Sequence, residues 1–332
     1  MSGARISQAI AEAGGWPAAG SVLFLRPDPG ADLAGIAKDR ALVVTGNRMA
    51  HDAFAAQGYP VAAVASGTFA AALIHMPRAR ALARALVAEA SAAVAPGGAI
   101  WVDGQKTDGI DTLFKDIRAR AAIVQSLAKA HGRAFSFVAG ADLSDWAAAD
   151  LHPVPGFVTR PGVFSADGVD PGSALLAAQL PGDLKGKGAD LGAGWGWLAA
   201  RVLAQAGVKE LHLVEAEADA LDCARRNIGD NIGAGRAVFH WADVTRFHPG
   251  HALDFVVTNP PFHQGRAAEP ALGAAFIRAA AAMLQPGGRL FLVANRTLPY
   301  EEGLRAAFQT VTPLAATGGF KVLMAARPVR RR

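Results

Sequence analysis

One short pattern constrains the fold more than any other, because it occurs once in each half of the chain. A Pro-Gly-Gly stop and an apolar run stand at residues 96–102 and again at residues 286–293, each after an alanine-rich stretch. Thr107 and Thr297 follow the two prolines at equal distances. A helix that stops at Pro-Gly-Gly and leads into a buried strand is one α/β unit. The match predicts that this unit is duplicated. A chance match of a single helix-turn-strand unit is the alternative.

Predicted strands alternate with predicted helices on both sides of each repeat, which is typical of a mostly parallel sheet with helices on both faces. The predicted strands are residues 21–25, 41–45, 61–64, 72–75, 99–102 and 134–138 in the first half, and residues 188–191, 210–214, 237–240, 254–257, 289–293, 311–315 and 321–325 in the second. Gly318 and Gly319 separate the last two, as a hairpin turn requires. The pattern predicts two tandem Rossmann-like α/β domains, the second with a seven-stranded sheet that ends in an antiparallel hairpin.

Length and composition agree with two globular domains. A chain of 332 residues is long enough for about two, and 52% hydrophobic against 18% charged residues excludes extended disorder. The turn-rich segment 152–156 predicts domains at 1–155 and 156–332. The net charge of +5 fits ordinary solubility as well as nucleic-acid binding. The basic end, residues 327–332, is either a phosphate contact or a solvated tail.

Membrane and metal functions are not expected. The most apolar stretch, residues 61–76, is interrupted by Ser66, Gly67 and Thr68 and is too short for a membrane span. The first residues lack the apolar run and cleavage site of a secretion signal. Cys223 is the only cysteine, which excludes a disulfide framework and a cysteine-rich zinc site. We therefore expect a cytoplasmic protein, a monomer without metal.

A glycine-rich loop follows the first predicted strand of the second half. It reads GADLGAGWGWL over residues 188–198, with Asp190, Gly192, Ala193, Gly194 and Gly196 as the candidate cofactor contacts. Alternating glycines let the backbone approach a ligand closely, and the next helix offers unpaired N–H groups. Trp197 stands where the dinucleotide fingerprint needs its last glycine, which weakens an NAD site. The loop resembles the first motif of class I S-adenosylmethionine-dependent methyltransferases; a structural turn is the alternative.

The ends of the next two strands carry further candidate cofactor contacts. Glu215 lies about twenty residues after the glycine loop, where an acidic side chain binds a ribose diol. Ala242 and Asp243 end the third strand, where a carboxylate could accept from an adenine amino group. A helix cap or a turn is the alternative role of Asp243.

The stretch TNPPFHQG, residues 258–265, follows a buried strand and carries the candidate catalytic residues. The exocyclic amine of a nucleobase is a poor nucleophile because its lone pair is delocalised into the ring. The side-chain carbonyl of Asn259 and the backbone carbonyl of Pro260 could accept its two protons and release that lone pair. Pro261 holds Pro260 extended, and Phe262 offers a face on which the base stacks. Asn259 also borders the cofactor, and the alternative is a rigid turn.

The second half resembles the two-domain bacterial guanine-N2 methyltransferases of 16S ribosomal RNA, with their 23S relatives close behind. The resemblance rests on an ordered set of motifs: PGVFS at 161–165, DGVD at 167–170, GS at 172–173, the glycine loop, NPPFHQG, VANR with LPY at 293–300, and GGFKV at 318–322. It implies two class I methyltransferase domains, S-adenosylmethionine as cofactor, and ribosomal RNA or the small ribosomal subunit as partner. It also suggests Phe164, His263 and Arg296 as substrate contacts. Phe164 in the core and His263 as an ordinary loop histidine are the alternatives.

In this family the first half is a copy of the fold that has lost its cofactor site, and it supports folding or holds RNA. The first half agrees, since it has no alternating glycines and reads HMPR at 75–78 where the second half has NPPF. Arg78, Arg80 and Arg84 are candidate RNA contacts, or a solvated helix face. Rival functions are a glutamine-N5 or DNA adenine methyltransferase and, from another class, a non-catalytic dinucleotide-binding or RNA-chaperone module.

Overall fold

The computed structural model describes residues 2–33, 35–261, 263–264, 267–268 and 270–330. The chain divides into two units, Met1–Asp150 and Leu151–Arg332. This division falls a few residues before the predicted boundary after residue 155. In the described residues no helix is both long and apolar enough to span a bilayer.

The first unit is a seven-stranded mixed sheet with helices on both faces. Its helices are α1 (Ser2–Glu12), α2 (Arg48–Ala56), α3 (Arg80–Ala93) and α4 (Ile110–Arg118), and its strands are β1 (Val22–Leu25), β2 (Ala41–Val44), β3 (Val61–Ala62), β4 (Phe69–His75), β5 (Val94–Gln105), β6 (Ile123–Lys129) and β7 (Gly132–Val138). The strand order is β3-β2-β1-β4-β5-β7-β6. Leu23 and Leu25 pack with α3 and α4, whereas Val22 and Phe24 pack with α1 and α2. The central strand is therefore buried on both faces, as parallel sheets require.

The second unit repeats this plan. Its helices are α5 (Pro171–Gln179), α6 (Trp197–Leu203), α7 (Ala218–Gly233), α8 (Pro270–Met283) and α9 (Tyr300–Ala307), and its strands are β8 (Gly186–Leu191), β9 (Val208–Glu215), β10 (Ala237–Trp241), β11 (Leu253–Thr258), β12 (His263–Gln264), β13 (Ala267–Ala268), β14 (Leu284–Asn295), β15 (Phe308–Ala316) and β16 (Phe320–Pro328). The large sheet runs β10-β9-β8-β11-β14-β16-β15, and β12 pairs only with β13. Counted along each unit, the two large sheets have the same strand order, so the predicted α/β duplication is confirmed.

Each large sheet ends in an antiparallel hairpin. The sequence predicted this hairpin only in the second unit. There β15 and β16 pair on either side of Gly318 and Gly319, as expected. In the first unit β6 pairs with β7 across Ala130 and His131, whose φ angles are 51° and 56°. A two-residue turn with both φ angles positive usually contains glycine or asparagine. The sequence prediction missed β6 because this turn contains neither.

Candidate active site

The candidate site lies where the carboxyl ends of neighbouring strands meet. Strand β8 lies between β9 and β11, and Leu191 pairs with both Val214 and Thr258. The loops that follow these strands therefore leave the sheet at one edge, where open α/β sheets bind their ligands. The loops border a cleft that is open to solvent. It is lined by Phe164, Ser165, Asp170, Ser173, Asp190, Gly192, Ala193, Gly194, Trp195, Trp197, Leu198 and Asn259.

The three glycines of the loop after β8 all adopt a left-handed backbone. Their φ angles are 76° at Gly192, 54° at Gly194 and 86° at Gly196. Side chains other than glycine are disfavoured in this conformation. A Cβ on Gly192 would lie 3.8 Å from the backbone carbonyl oxygen of Asn259. The loop after β8 therefore brings its backbone close to the loop after β11, as a shared ligand site requires.

Glu215, the last residue of β9, is tied to the glycine loop. Its Oε2 accepts from the backbone N–H of Gly194 at 2.8 Å, and its Oε1 accepts from the N–H of Glu217 at 2.9 Å. Burial raises the pKa of Glu215, although the Glu217 and Gly194 hydrogen bonds oppose the shift. The sequence placed Glu215 at this strand end correctly, and its bond to Gly194 is a contact that the spacing alone did not reveal.

Buried polar atoms face the same cleft. The carboxylate oxygens of Asp190 and the indole Nε1 of Trp197 make no hydrogen bond of normal geometry with the described residues. Burial, and then the charge of Glu215, raises the pKa of Asp190 to about 8, although the nearby backbone N–H of Ala199 opposes the rise. Leaving a buried polar group unpaired costs about 1–3 kcal/mol. The cleft therefore fits a ligand that brings positive charge to Asp190 and an acceptor to Trp197, as the amino and carboxylate groups of S-adenosylmethionine would.

Asn259 is held in one orientation by two residues at the start of α5. Its Nδ2 donates to Asp170 Oδ2 and to the Ser173 hydroxyl, both at 2.8 Å. Because an ionised carboxylate can only accept, the NH₂ end of the amide has to face Asp170. The carbonyl Oδ1 is left buried without a partner among the described residues. The acceptor that the sequence analysis assigned to Asn259 is therefore unoccupied by other parts of the described chain.

The sequence analysis missed this support, although one signal for it was readable. Aspartate before proline favours the start of a helix, and the Asp170 side chain does cap α5 by accepting from the Ser173 N–H at 2.7 Å. The same Oδ2 atom holds Asn259, which is 89 residues away in sequence. A contact over that separation follows from the sheet topology and not from any local pattern.

The remaining candidate catalytic residues are described only in part. Pro260 is buried and Pro261 is exposed. Phe262 lies outside the described residues. His263 begins β12, where its backbone pairs with Ala268. Their proposed contacts with a substrate stay predictions.

The other candidates fall at the same edge of the sheet or beside it. The backbone N–H of Ala242 donates to the Glu215 carbonyl at 3.0 Å. Asp243 accepts at 2.8 Å from both the N–H and the hydroxyl of Thr245, which is the turn role left open above. Phe164 lines the cleft with 61% of its surface exposed, so it is not a core residue. Arg296 is exposed directly after β14, and its N–H donates to the Gly319 carbonyl at 2.9 Å.

The first unit has other residues at the corresponding positions. Leu25 pairs with Val44 and Ile74 in the same way that Leu191 pairs with Val214 and Thr258. Counting from these pairs, Phe24 stands at the position of Asp190, Thr45 at that of Glu215 and His75 at that of Asn259. Arg26 stands at the position of Gly192 and keeps a positive φ of 52°. The backbone plan is preserved, and the candidate ligand-binding side chains are replaced.

The three arginines suggested as RNA contacts are close to acidic side chains. Arg80 and Arg84 both donate to Asp116, at 3.0 and 2.8 Å. Arg78 lies 3.8 Å from Asp108. Both the RNA contact and the solvated helix face therefore stay open for these three arginines.

Comparison with known proteins agrees with this geometry. The family model of the methyltransferase small domain matches residues 155–324. The chain is 36% identical over 54% of its length to the ribosomal RNA small subunit methyltransferase C of Serratia proteamaculans, and that alignment spans about half (51%) of the relative. It is 31% identical to the enzyme of the same name from Hahella chejuensis, over 76% of each chain.

A solved structure extends the likeness to both units. The T. thermophilus 16S ribosomal RNA N2 G1207 methyltransferase, solved with AdoMet and guanosine, superposes with a TM-score of 0.78 at 25% identity, over 97% of this chain and 91% of that one. The glycine loop, Glu215 and Asn259 all lie within residues 155–324, the range that the family model matches. The chain belongs to the ribosomal RNA small subunit methyltransferase C family.

Proposed function

We propose that this protein transfers a methyl group from S-adenosylmethionine to the exocyclic N2 amine of a guanine in 16S ribosomal RNA. One observation carries the proposal: the Asn259 amide is fixed by Asp170 and Ser173 so that its Oδ1 remains available as an acceptor beside the glycine loop. Family membership supplies the class of substrate.

In the proposed reaction, some residues bind the methyl donor and others orient the guanine. S-adenosylmethionine supplies a methyl group on a positively charged sulfur, which makes the methyl carbon electrophilic. The glycine loop, Asp190 and Glu215 bind and place this donor. Asn259 Oδ1 and the Pro260 carbonyl accept hydrogen bonds from the N2 amine, and Phe262 offers a face on which the base stacks. The nitrogen becomes strongly acidic once it is methylated and releases one proton to water, so no side chain has to act as a strong base. Catalysis then rests on alignment and on fixed dipoles.

A guanine inside a helix cannot reach such a cleft, so the target base is unpaired or flipped out. We propose that the first unit supports the fold of the second or holds the RNA, and that it binds no cofactor. A monomeric state and a cytoplasmic location also stay predictions.

The test offers the protein several methyl acceptors in parallel. Tritiated S-adenosylmethionine is incubated with small subunits from cells that lack the enzyme, with naked 16S and 23S RNA, with DNA and with release factor. We expect label only in small-subunit RNA, released as N2-methylguanosine on nuclease digestion. Label in the release factor or in DNA would favour the glutamine-N5 or adenine-N6 alternative.

A non-catalytic module is separated from these enzymes by calorimetry. The proposed function requires that the protein bind S-adenosylmethionine, and an RNA chaperone has no such requirement. Binding of NAD with no binding of S-adenosylmethionine would contradict the cofactor assignment. The methylated position is then found by mass spectrometry of RNA fragments, beginning with the guanine that corresponds to 1207.

A further inference from the structure

A second cluster of polar side chains lies away from the cleft, on β9, β10 and the loop that follows β10. It contains Glu210, His212, His240 and His251, so three of the nine histidines of the chain come together. Glu210 and His212 are two residues apart on β9 and therefore point to the same face of the sheet. At about 3.3 Å per residue, Glu210 is about 16 Å along the strand from Glu215. The cluster is thus separate from the candidate active site.

Three of these side chains converge on one point. Oε1 of Glu210 lies 3.0 Å from Nε2 of His212 and 3.0 Å from Nε2 of His251. The three ligand atoms all lie within 4.8 Å of one another. Zinc binds imidazole nitrogen and carboxylate oxygen at about 2.0–2.2 Å with tetrahedral geometry, which places neighbouring ligand atoms about 3.3–3.5 Å apart. Small side-chain movements therefore bring all three atoms to bonding distance of one ion.

His240, the fourth residue of the cluster, contacts the ring nitrogen of His212 that would not bind the metal. His212 Nδ1 lies 2.8 Å from His240 Nε2, and the two rings stack with their centres 5.1 Å apart. With Nε2 on a metal, the proton of His212 sits on Nδ1 and is donated to His240, and this hydrogen bond fixes the tautomer and the orientation of the ring.

We propose that Glu210, His212 and His251 form a zinc site, with solvent as the fourth ligand. Two imidazoles and one carboxylate favour Zn²⁺ over Mg²⁺ or Ca²⁺, which prefer all-oxygen sites. The bound ion would tie the loop between β10 and β11 to β9. Lys187 Nζ lies 3.3 Å from both Glu210 oxygens. Its side chain is 44% exposed, so it has room to turn toward solvent when the ion binds.

The test measures zinc binding directly. Protein without an affinity tag is stripped with a chelator, dialysed and titrated with ZnCl₂ in a calorimeter. We expect one equivalent to bind, and at least tenfold weaker binding by Glu210→Gln and His251→Ala. His248→Ala is the matched control, because this exposed histidine lies in the same loop outside the cluster. Zinc should raise the Tm of the wild type and of this control, and leave the Tm of His251→Ala unchanged. Affinities of both ligand variants equal to that of the wild type would overturn the proposal.

A second readout needs no variant. Co²⁺ replaces zinc and absorbs visible light strongly in four- or five-coordinate sites and weakly when surrounded by six waters. We expect the strong bands in the wild-type protein at one equivalent, and their loss when ZnCl₂ is added. The weak spectrum of hydrated Co²⁺ would show that the cluster holds no metal.

Discussion

At the scale of single residues, we expect methyl transfer to depend on the orientation of the Asn259 side-chain amide. If this amide turned over, its NH₂ group would face the amine of the substrate, and neither group could accept a hydrogen bond from the other. Asp170 prevents this because its carboxylate accepts from Nδ2.

Replacing Asn259 by alanine removes the side-chain acceptor while the backbone of the glycine loop stays in place. We expect methyl transfer to fall by at least a hundredfold, about 2.7 kcal/mol of lost transition-state stabilisation. The affinity for S-adenosylmethionine should change little, which calorimetry measures. Equal loss of activity and of cofactor binding would mean instead that Asn259 supports the fold of the loop.

Asp170 has two roles that one substitution can separate. Serine also caps helices but carries no carboxylate for Asn259. We expect Asp170→Ser to lower kcat at least tenfold, about 1.4 kcal/mol, while Tm stays near the wild-type value. Asp170→Ala loses the cap as well and should be less stable by about 1 kcal/mol. Wild-type kcat in Asp170→Ser would show that the amide needs no such support.

The buried carboxyl of Asp190 makes stability depend on pH. Its pKa is raised to about 8, so the folded protein holds a proton that the unfolded chain releases near pH 4. Between these values the unfolding free energy should fall as pH rises, by up to about 1.4 kcal/mol per unit from this group. We expect Asp190→Asn to flatten the slope between pH 5 and 8 in denaturant titrations. An unchanged slope in the variant would rule out Asp190 as its source.

At the scale of elements, two glycines of the loop between β8 and α6 have different surroundings: Gly194 lines the cleft, and Gly196 packs against α7. A Cβ on Gly196 would lie 3.2 Å from the Cα and Cβ of Ala224 in α7, whereas a Cβ on Gly194 meets nothing within 4 Å. We expect Gly196→Ala to lower the unfolding free energy by about 1–3 kcal/mol. Gly194→Ala should cost about 1 kcal/mol and mainly weaken cofactor binding. Thermal melts and calorimetry compare the two, and equal loss of stability would contradict this division.

The strength of the local signals explains which elements were predictable. The glycine loop and the buried strands β8, β9 and β11 have strong local patterns, and all were located from sequence. Strand β6 alternates between half-buried and exposed residues and ends in a turn without glycine, so it was missed. The contact between Asp170 and Asn259 and the histidine cluster arise from strand order, which brings together residues from distant parts of the chain. Local patterns carry no information about such pairs.

At the scale of the whole molecule, the two large sheets have the same topology but carry different residues at the candidate ligand-binding positions. Phe24, Thr45 and His75 replace Asp190, Glu215 and Asn259. We therefore expect one S-adenosylmethionine per chain and not two, as measured by calorimetric stoichiometry. Glu215→Ala should weaken this binding, and Thr45→Ala should leave it unchanged. A second site of similar affinity would mean that the first unit has kept a function.

Because Asp170 both caps helix α5 and orients Asn259, it links the folding of this helix to the proposed activity. The carboxylate oxygen that starts helix α5 is also the one that sets the amide of Asn259. We therefore expect a chain in which this helix end is frayed to lose activity, because the Asn259 amide is then free to turn over. Methyl transfer would depend on the folding of a segment 89 residues away in sequence, so partly folded molecules would not methylate RNA.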